Sequence, residues 1–204
     1  MGTLTGIFQI GIGMFKGPEE IKHILTIADK QKYYSVISRS VSISGVWVEC
    51  GVGVGTSARE ILKHLPKNTN FHLFDSFEGL PEKWEWDNFG KNPHPKGTFA
   101  CDVPNFNDDR IIIHKGWFDD TLPKLQLKSP IALLHIDSDL YSSCVSVLKY
   151  LGKYIVSGTI ILFDEYQGYN LWMDDEYKAF KEFNRSFVYL ARTLQHQCAV
   201  RITE

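Results

Sequence analysis

The sequence lacks several features that would assign it to a specialised class of protein. Its 204 residues carry 22 Lys and Arg against 24 Asp and Glu, a net charge of −2. Because nucleic-acid binding usually relies on a basic excess that neutralises phosphates, we expect no nucleic-acid partner. The longest apolar runs, such as residues 131–136, are the length of a strand. A membrane-spanning helix needs about 20 apolar residues, so we expect no membrane partner either.

Cysteine is also scarce, and so are segments that would divide the chain. The four cysteines, at positions 50, 101, 144 and 198, form no C-x-x-C pair. This spacing favours reduced thiols over a zinc site or a disulfide framework. Lys16 is the only base near the apolar N-terminus, which therefore does not resemble a signal peptide, and we expect a cytoplasmic location. We predict a single domain over residues 1–204, with an N-terminal helical or lid segment over residues 1–44.

Alternating helix-like and strand-like patterns predict the fold class. Pro18, two following acids and apolar residues at helical spacing predict a first helix over about 18–28, whereas residues 35–44 are ambiguous. Further helices are predicted at about 57–65, 142–154 and 173–184, and seven strands at 46–49, 71–75, 110–114, 131–137, 159–163, 187–191 and 197–202. Such alternation is typical of an α/β fold built from parallel β-α-β units. Ligands of such sheets bind outside the carboxyl ends of the strands.

The first strand of this series ends in a glycine-rich turn, E-C-G-V-G-V-G-T-S over residues 49–57. The dinucleotide fingerprint G-x-G-x-x-G would need its third glycine one position later. An acid followed by G-x-G-x-G is instead the pattern of S-adenosylmethionine (SAM) sites, since SAM carries an amine and a sulfonium but no pyrophosphate. An ordinary tight strand-to-helix turn is the alternative. The candidate cofactor contacts in this segment are Glu49, Gly51, Gly53, Gly55, Thr56 and Ser57.

The ends of the next two strands carry further candidate cofactor contacts. Asp75 lies 20 residues after Gly55, where a carboxylate could accept hydrogen bonds from ribose hydroxyls. A solvated loop acid is the alternative. Trp117 or Phe118, after the third strand, could pack on adenine, although Phe118 fits a core position equally well.

Two pairs of carboxylates follow the fourth and fifth strands: Asp137 with Asp139, and Asp164 with Glu165. Clustered acids repel one another unless a cation or hydrogen-bond donors balance them. An all-oxygen site favours Mg²⁺ or Ca²⁺ over zinc. Such a site could lower the pKa of a substrate hydroxyl whose proton a nearby carboxylate accepts. Helix caps and surface acids are the alternative.

Together these segments resemble the macrocin O-methyltransferase family of SAM-dependent enzymes, which includes sugar O-methyltransferases of macrolide and aminocoumarin biosynthesis. The resemblance spans about residues 45–183. It is carried by VECGV at 48–52, FDSFEGLP at 74–81, KGWFDDTLP at 115–123, HIDSDLY at 135–141, SG at 157–158 and DEY at 164–166. It implies the Rossmann-like, doubly wound sheet of class I methyltransferases, with seven strands that are mostly parallel and an antiparallel last strand.

The resemblance also implies SAM as methyl donor, Mg²⁺ dependence, and a hydroxyl of a sugar or glycosylated small molecule as acceptor. A homodimer is a further expectation, since relatives often self-associate. By position, Asp137, Asp164 and Glu165 would be metal ligands, with Glu165 where the family usually has a second Asp, and Asp139 would be the general base. Beyond the glycine turn, the candidate cofactor contacts are Asp75, Trp117 and Phe118, already named, together with Ser76, Phe77 and Asp137.

The chain departs from the family pattern between the second and third strands, where the family usually has a clear helix. Residues 98–109 are brief and interrupted by Pro104, and we predict no helix there. The preceding aromatic residues could form an acceptor-binding loop or equally seal the exposed sheet face. These residues are Trp84, Trp86, Phe89, His94 and Pro95.

Two other functions remain open at this point. A related enzyme could use the same scaffold for hydroxylation, and a non-catalytic SAM- or nucleotide-binding module would retain the cofactor site alone. An NAD-dependent dehydrogenase is disfavoured by the glycine spacing.

Overall fold

The structure is a computed structural model that describes residues 15–86 and 93–204. Eight strands form one sheet: β1 (Leu25–Thr26), β2 (Val46–Cys50), β3 (Phe71–Asp75), β4 (Ile111–Lys115), β5 (Ile131–Ile136), β6 (Ile155–Phe163), β7 (Phe187–Arg192) and β8 (Cys198–Ile202). The helices are α1 (Lys30–Arg39), α2 (Thr56–Leu62), α3 (Phe118–Thr121), α4 (Tyr141–Leu151) and α5 (Glu176–Phe183). Short 3₁₀ turns lie at Glu19–Ile21, Leu122–Lys124 and Gly152–Tyr154.

The strand order, β1-β7-β8-β6-β5-β2-β3-β4, confirms the predicted α/β fold. Strands β2 to β6 pair in parallel, and β8 runs antiparallel to both β6 and β7. The predicted number of strands is one too low. The additional strand is the two-residue β1, which pairs in parallel with β7 at the sheet edge.

The helix predicted over residues 18–28 is wrong. Only a 3₁₀ turn forms at Glu19–Ile21, and β1 follows it. The helix begins later, at α1, because Asp29 supplies the cap: its carboxylate accepts a hydrogen bond from the Lys32 amide at 2.6 Å. Pro18 makes no such side-chain cap. The ambiguous serine-rich segment therefore lies partly within α1, and residues 1–14 lie outside the described part of the chain.

Helices cover both faces of the sheet. One face packs α1 and α2 against β2, β3 and β5, and the other packs α4 and α5 against β2, β5 and β6. All six residues of β5 are buried, as its uninterrupted apolar sequence predicts. This arrangement brings the carboxyl ends of β2, β3, β5 and β6 to one edge of the sheet. Among the described residues, no helix is both long and apolar enough to cross a membrane.

The described residues between β3 and β4 contain no helix, as predicted. Cys101 and Phe106 pack against the α1–α2 face of the sheet instead. Trp84 is buried in a separate cluster with Leu80, Leu140 and Tyr169, and its indole donates a hydrogen bond to Asp175. The predicted aromatic segment therefore packs mainly against its own loop and the segment after β6. Phe89 lies outside the described residues.

A histidine pair near the β4 edge gives the fold a predictable pH dependence. The His72 Nδ1 and His114 Nε2 atoms lie 3.0 Å apart, and burial together with His114 lowers the pKa of His72 to about 4. Unfolded His72, with a pKa of about 6.5, binds a proton more readily than folded His72. Its contribution to stability is therefore complete above about pH 6.5 and is lost as the pH falls towards 4. We expect this to remove about 1–2 kcal/mol from the free energy of unfolding between pH 7 and pH 5.

Urea unfolding of the wild type and His72→Phe at both pH values tests this expectation. Phenylalanine can stack on His114 without binding a proton, so the variant should lose less stability on acidification. His23→Gln, at an exposed histidine, should behave like the wild type. Equal losses in wild type and His72→Phe would contradict the assignment.

Candidate functional site

A cavity of about 750 Å³ opens at the carboxyl edge of the sheet. Its wall is formed by the turns that follow β2, β3, β4, β5 and β6, together with the start of α1. Most of the site residues predicted from the sequence meet here. Those lining the cavity are Gly51, Gly53, Thr56, Ser57, Asp75, Ser76, Trp117, Phe118, Asp137, Asp139, Asp164 and Glu165.

Three predicted cofactor contacts do not line the cavity and lie behind its wall. Glu49 is fully buried and accepts a hydrogen bond from the Ser57 hydroxyl at 2.5 Å. Gly55 precedes α2 in a left-handed conformation, with Phe106 packed where a side chain would be. Phe77 is buried, and its amide donates to Asp75 at 2.7 Å. The structure therefore places these residues where they shape the site from behind.

Asp75 organises the glycine turn. Its Oδ2 atom accepts hydrogen bonds from the amides of Val52 (2.7 Å) and Gly53 (2.8 Å), while Oδ1 accepts from Phe77. A carboxylate offers about four lone-pair positions. Asp75 can therefore hold the turn and still accept a hydrogen bond from a ligand hydroxyl in the cavity.

Gly51 joins the ends of β2 and β5. Its φ of +90° lies in the left-handed region, and an added Cβ atom would approach the Asp137 carbonyl oxygen to 1.6 Å. No side chain fits at this distance. Glycine at position 51 therefore allows the glycine turn to contact the loop after β5, which carries Asp137.

Replacing Gly51 by alanine should destabilise the protein by at least 3 kcal/mol, because both the clash and the left-handed strain must be relieved. Gly53→Ala is the matched control. Its φ of +50° is also left-handed, but no described atom lies within 4 Å of the added Cβ, so about 1 kcal/mol is expected. Chemical denaturation of both variants measures the difference. Equal losses would show that the contact with Asp137 is unimportant.

The acids after β5 and β6 form a close cluster. Asp137, Asp139 and Glu165 each offer a carboxylate oxygen, and these oxygens lie within 4.8 Å of one another. Asp139 has a φ of +61°, a strained conformation for a residue with a side chain. The Glu165 Oε2 atom is buried and has no hydrogen-bond partner in the described residues. This unpartnered oxygen and the all-oxygen donor set fit a hard divalent cation.

The cluster carries strongly perturbed carboxyls. Burial, followed by the charge of neighbouring Asp164, raises the pKa of Asp137 and Glu165 well above their usual range. Burial and nearby carboxylates raise the pKa of Asp139 to about 7. A carboxyl with a pKa near neutrality is suited to accepting a proton from a substrate.

Asp164 differs from Asp137, Asp139 and Glu165 because side chains of the protein donate hydrogen bonds to its carboxylate. It accepts hydrogen bonds from the Lys30 ammonium (2.8 Å), the Tyr34 hydroxyl (2.7 Å) and the Gln197 amide (3.2 Å). Burial opposes ionisation of Asp164, but His135 and Lys30 outweigh it and hold its pKa well below the usual range. The predicted metal ligand Asp164 is therefore ionised and engaged by side chains of α1 and the β7–β8 turn.

A buried histidine, His135, lies between Glu49 behind the glycine turn and Asp164 after β6. The His135 Nδ1 atom lies 3.5 Å from Glu49 Oε1, and Nε2 lies 3.7 Å from Asp164 Oδ1. Burial alone would lower the pKa of His135, but Asp164 and Glu49 raise it to about 10. The imidazole thus lies between Glu49, behind the glycine turn, and Asp164, beside the acid cluster, and neither ring nitrogen has a hydrogen-bond partner among the described residues.

Sequence reasoning did not identify Lys30, Tyr34, His135 or Gln197 as site residues. His135 stands inside the HIDSDLY segment, so its position offered a signal. Lys30 and Tyr34 share one face of α1 at a spacing of four residues, but no local pattern indicates that this face meets Asp164.

Comparisons with known proteins agree with this architecture. The family model Macrocin-O-methyltransferase (TylF) matches residues 30–188. The 8-demethyl-8-(2,3-dimethoxy-alpha-L-rhamnosyl)-tetracenomycin-C 4'-O-methyltransferase of Streptomyces olivaceus is 30% identical over 147 residues, which cover 61% of this chain and 54% of that protein. The demethyldecarbamoylnovobiocin O-methyltransferase of Streptomyces niveus is 28% identical over 157 residues, covering 68% and 60%. The chain thus matches less than two thirds of the length of these relatives.

A solved structure shows the same fold. The calicheamicin methyltransferase CalS11 has a TM-score of 0.66 at 23% identity, covering 84% of this chain and 77% of that one. The segment that the family model matches contains or overlaps the sheet, the cavity at its carboxyl edge and the motifs around that cavity. Because that segment covers well over half of the chain, the chain belongs to the macrocin O-methyltransferase family.

Proposed function

We propose that the protein is a SAM-dependent O-methyltransferase that acts on a hydroxyl of a sugar or glycosylated small molecule. The observation that carries this proposal is the shared cavity: the glycine turn held by Asp75 and the acid cluster around Asp139 face the same space. Family membership supports the reaction, and the names of the two relatives, which give a rhamnosyl-bearing tetracenomycin C and demethyldecarbamoylnovobiocin as acceptors, support the acceptor class.

The glycine turn and its neighbours form the proposed cofactor side. Gly51 and Gly53 leave the turn without side chains, and Ser57 and Thr56 begin α2 beside it. Asp75 would bind the ribose hydroxyls, and Trp117 or Phe118, which both line the cavity, would pack on the adenine. Glu49 acts indirectly here, since it orients Ser57 from below. When bound, SAM supplies an electrophilic methyl group.

Asp139 is the proposed general base. In the reaction, the acceptor hydroxyl loses its proton to the Asp139 carboxylate as its oxygen forms a bond to the methyl carbon and the carbon–sulfur bond breaks. S-adenosylhomocysteine leaves as the product. Holding the two reactants in line within one cavity supplies much of the rate enhancement.

Asp137 and Glu165 are the proposed metal ligands, with Asp164 beside them. Bound Mg²⁺ would supply positive charge that favours ionisation of the acceptor hydroxyl. Asp164 is the weaker candidate, because three donors already occupy most of its acceptor positions and the positive charge of Lys30, 2.8 Å away, would repel a cation. Asp137 and the unpartnered oxygen of Glu165 are free of such competition among the described residues.

Calorimetry with SAM, S-adenosylhomocysteine and NAD, each with and without Mg²⁺, tests the cofactor assignment. Release of S-adenosylhomocysteine is then measured with a panel of deoxysugar-bearing small molecules and their aglycones. Binding of NAD without SAM would overturn the proposal. Binding of SAM without product from any glycosylated acceptor would favour the non-catalytic binding module. Oxidation of the acceptor without methylation would favour the hydroxylase.

The metal assignment predicts that EDTA abolishes methyl transfer and that Mg²⁺ restores it. Glu165→Gln should raise the Mg²⁺ concentration needed for half-maximal rate by at least about 10-fold, because an amide oxygen carries no charge. Glu78→Gln, at an exposed position, is the control. If EDTA and Glu165→Gln both leave the rate unchanged, the metal-assisted version is wrong and Asp139 alone must act on the acceptor.

A further inference from the structure

Glu176, the first residue of α5, is fully buried and bonds to both acid-bearing loops. Its Oε1 atom accepts hydrogen bonds from the Ser138 amide (3.0 Å) and the Ser138 hydroxyl (3.3 Å). Its Oε2 atom accepts from the Glu165 amide at 3.1 Å. One carboxyl group thus joins the loop after β5 to the loop after β6.

The two backbone amides that donate to Glu176 belong to the segments that carry the clustered acids. Ser138 lies between Asp137 and Asp139, and Glu165 directly follows Asp164. Glu176 itself does not line the cavity. It therefore bonds to the backbone of both loops that contribute acids to the cluster, through Ser138 and Glu165, without lining the cavity where a substrate would bind.

Packing alone does not account for a buried carboxyl group at this point. An apolar side chain of similar size would fill the same volume without the cost of removing a carboxyl from water. The adjacent Asp139 holds a strained left-handed φ of +61°. Such a conformation persists only where the surroundings restrain it, and the two bonds from Ser138 to Glu176 supply a restraint on the preceding residue.

We propose that Glu176 is a positioning residue that sets the distance between the two acid-bearing loops, and with it the mutual geometry of Asp137, Asp139 and Glu165. Its catalytic consequence rests on the proposed function, because that function assigns these acids to the acceptor end of the site. The structural consequence, restraint of both loops, is independent of the reaction.

Glu176→Gln tests the proposal with almost no change in shape. One of the two accepting oxygens becomes an NH₂ group that faces a backbone N–H, so the variant loses the backbone hydrogen bond to one of the two loops. We expect kcat for S-adenosylhomocysteine release to fall about 10- to 100-fold. Its affinity for S-adenosylhomocysteine, measured by calorimetry, should change less than about 2-fold, because the glycine turn and Asp75 are untouched. Amide hydrogen exchange should accelerate at Ser138 or Glu165.

Glu182→Gln is the matched control, because it makes the same substitution on the same helix at an exposed site. It should change neither kcat nor the exchange of these amides. If Glu176→Gln does not fold, Glu176→Asp replaces it, since it keeps both oxygens but reaches one methylene less, and the same readouts apply.

Wild-type exchange at both amides in the variant would overturn the proposal, and so would a wild-type kcat. If the wild-type chain methylates no acceptor, the proposed function fails instead. Exchange at Ser138 and Glu165 then still decides whether Glu176 restrains the loops.

Discussion

The Asp139→Asn variant should lose methyl transfer by about 10²- to 10⁴-fold and still bind S-adenosylhomocysteine. Asparagine has nearly the same shape as aspartate but cannot accept the acceptor's proton. The strained backbone and the raised pKa of Asp139, about 7, both fit a residue specialised for this step. Initial rates of S-adenosylhomocysteine release measure the loss, and calorimetry with the same compound measures retained binding.

Asp174→Asn provides the control, because Asp174 is exposed and close in sequence to α5 but not to the cavity. It should keep the wild-type rate. Full activity in Asp139→Asn would remove Asp139 from the reaction. Equal losses of rate and of product affinity would instead assign Asp139 to the cofactor side of the cavity.

Asp164→Asn should lower the free energy of unfolding by about 3 kcal/mol, a large effect for one atom exchanged. The substitution removes the negative charge that Lys30 and Tyr34 contact at 2.8 Å and 2.7 Å. It also removes the acidic group that lies 3.7 Å from the buried Nε2 atom of His135. Lys30 is partly exposed and can recover water, so most of the cost falls on the buried His135, which keeps only Glu49 at 3.5 Å. Urea denaturation at pH 7 measures the change.

Two further variants separate these contributions. Tyr34→Phe removes one hydrogen bond and should cost about 1 kcal/mol. In a double-mutant cycle, Asp164→Asn and His135→Gln should couple by at least about 1 kcal/mol. Loss of less than 1 kcal/mol in Asp164→Asn would show that the cluster around it does not stabilise the fold. Replacing Asp164 therefore lowers activity through two effects, destabilisation of the fold and loss of a proposed metal ligand. Glu165→Gln is the cleaner probe of metal binding.

Much of the site was predictable from the sequence because it depends on short segments. Each strand of the parallel sheet is an apolar run of a few residues, and the topology alone brings the residues at its end and just after it to the carboxyl edge. Asp75, Asp137 and Glu165 reach the cavity for this reason. The first helix was misplaced because the prediction relied on Pro18 and the two acids after it, whereas Asp29 is the residue that forms a helix cap.

The side chains behind the cavity were not predictable in this way. Glu49 and Gly55 belong to the glycine motif but lie outside the cavity lining, since a strand alternates its side chains between faces and a turn hides some of its residues. Glu176 lies 38 residues from Ser138, so their hydrogen bond depends on how α5 packs against the sheet.

Local patterns therefore determined the fold class, the glycine turn and the identity of the acids at the sheet edge, because these depend on hydrophobic periodicity and on residues adjacent in the chain. The tertiary structure decided which acids are free and which are paired. Lys30 and Asp164 are 134 residues apart, and they meet only because α1 packs beside the end of β6. A charge in a buried cluster responds to distance in space, and the order of residues along the chain does not specify that distance.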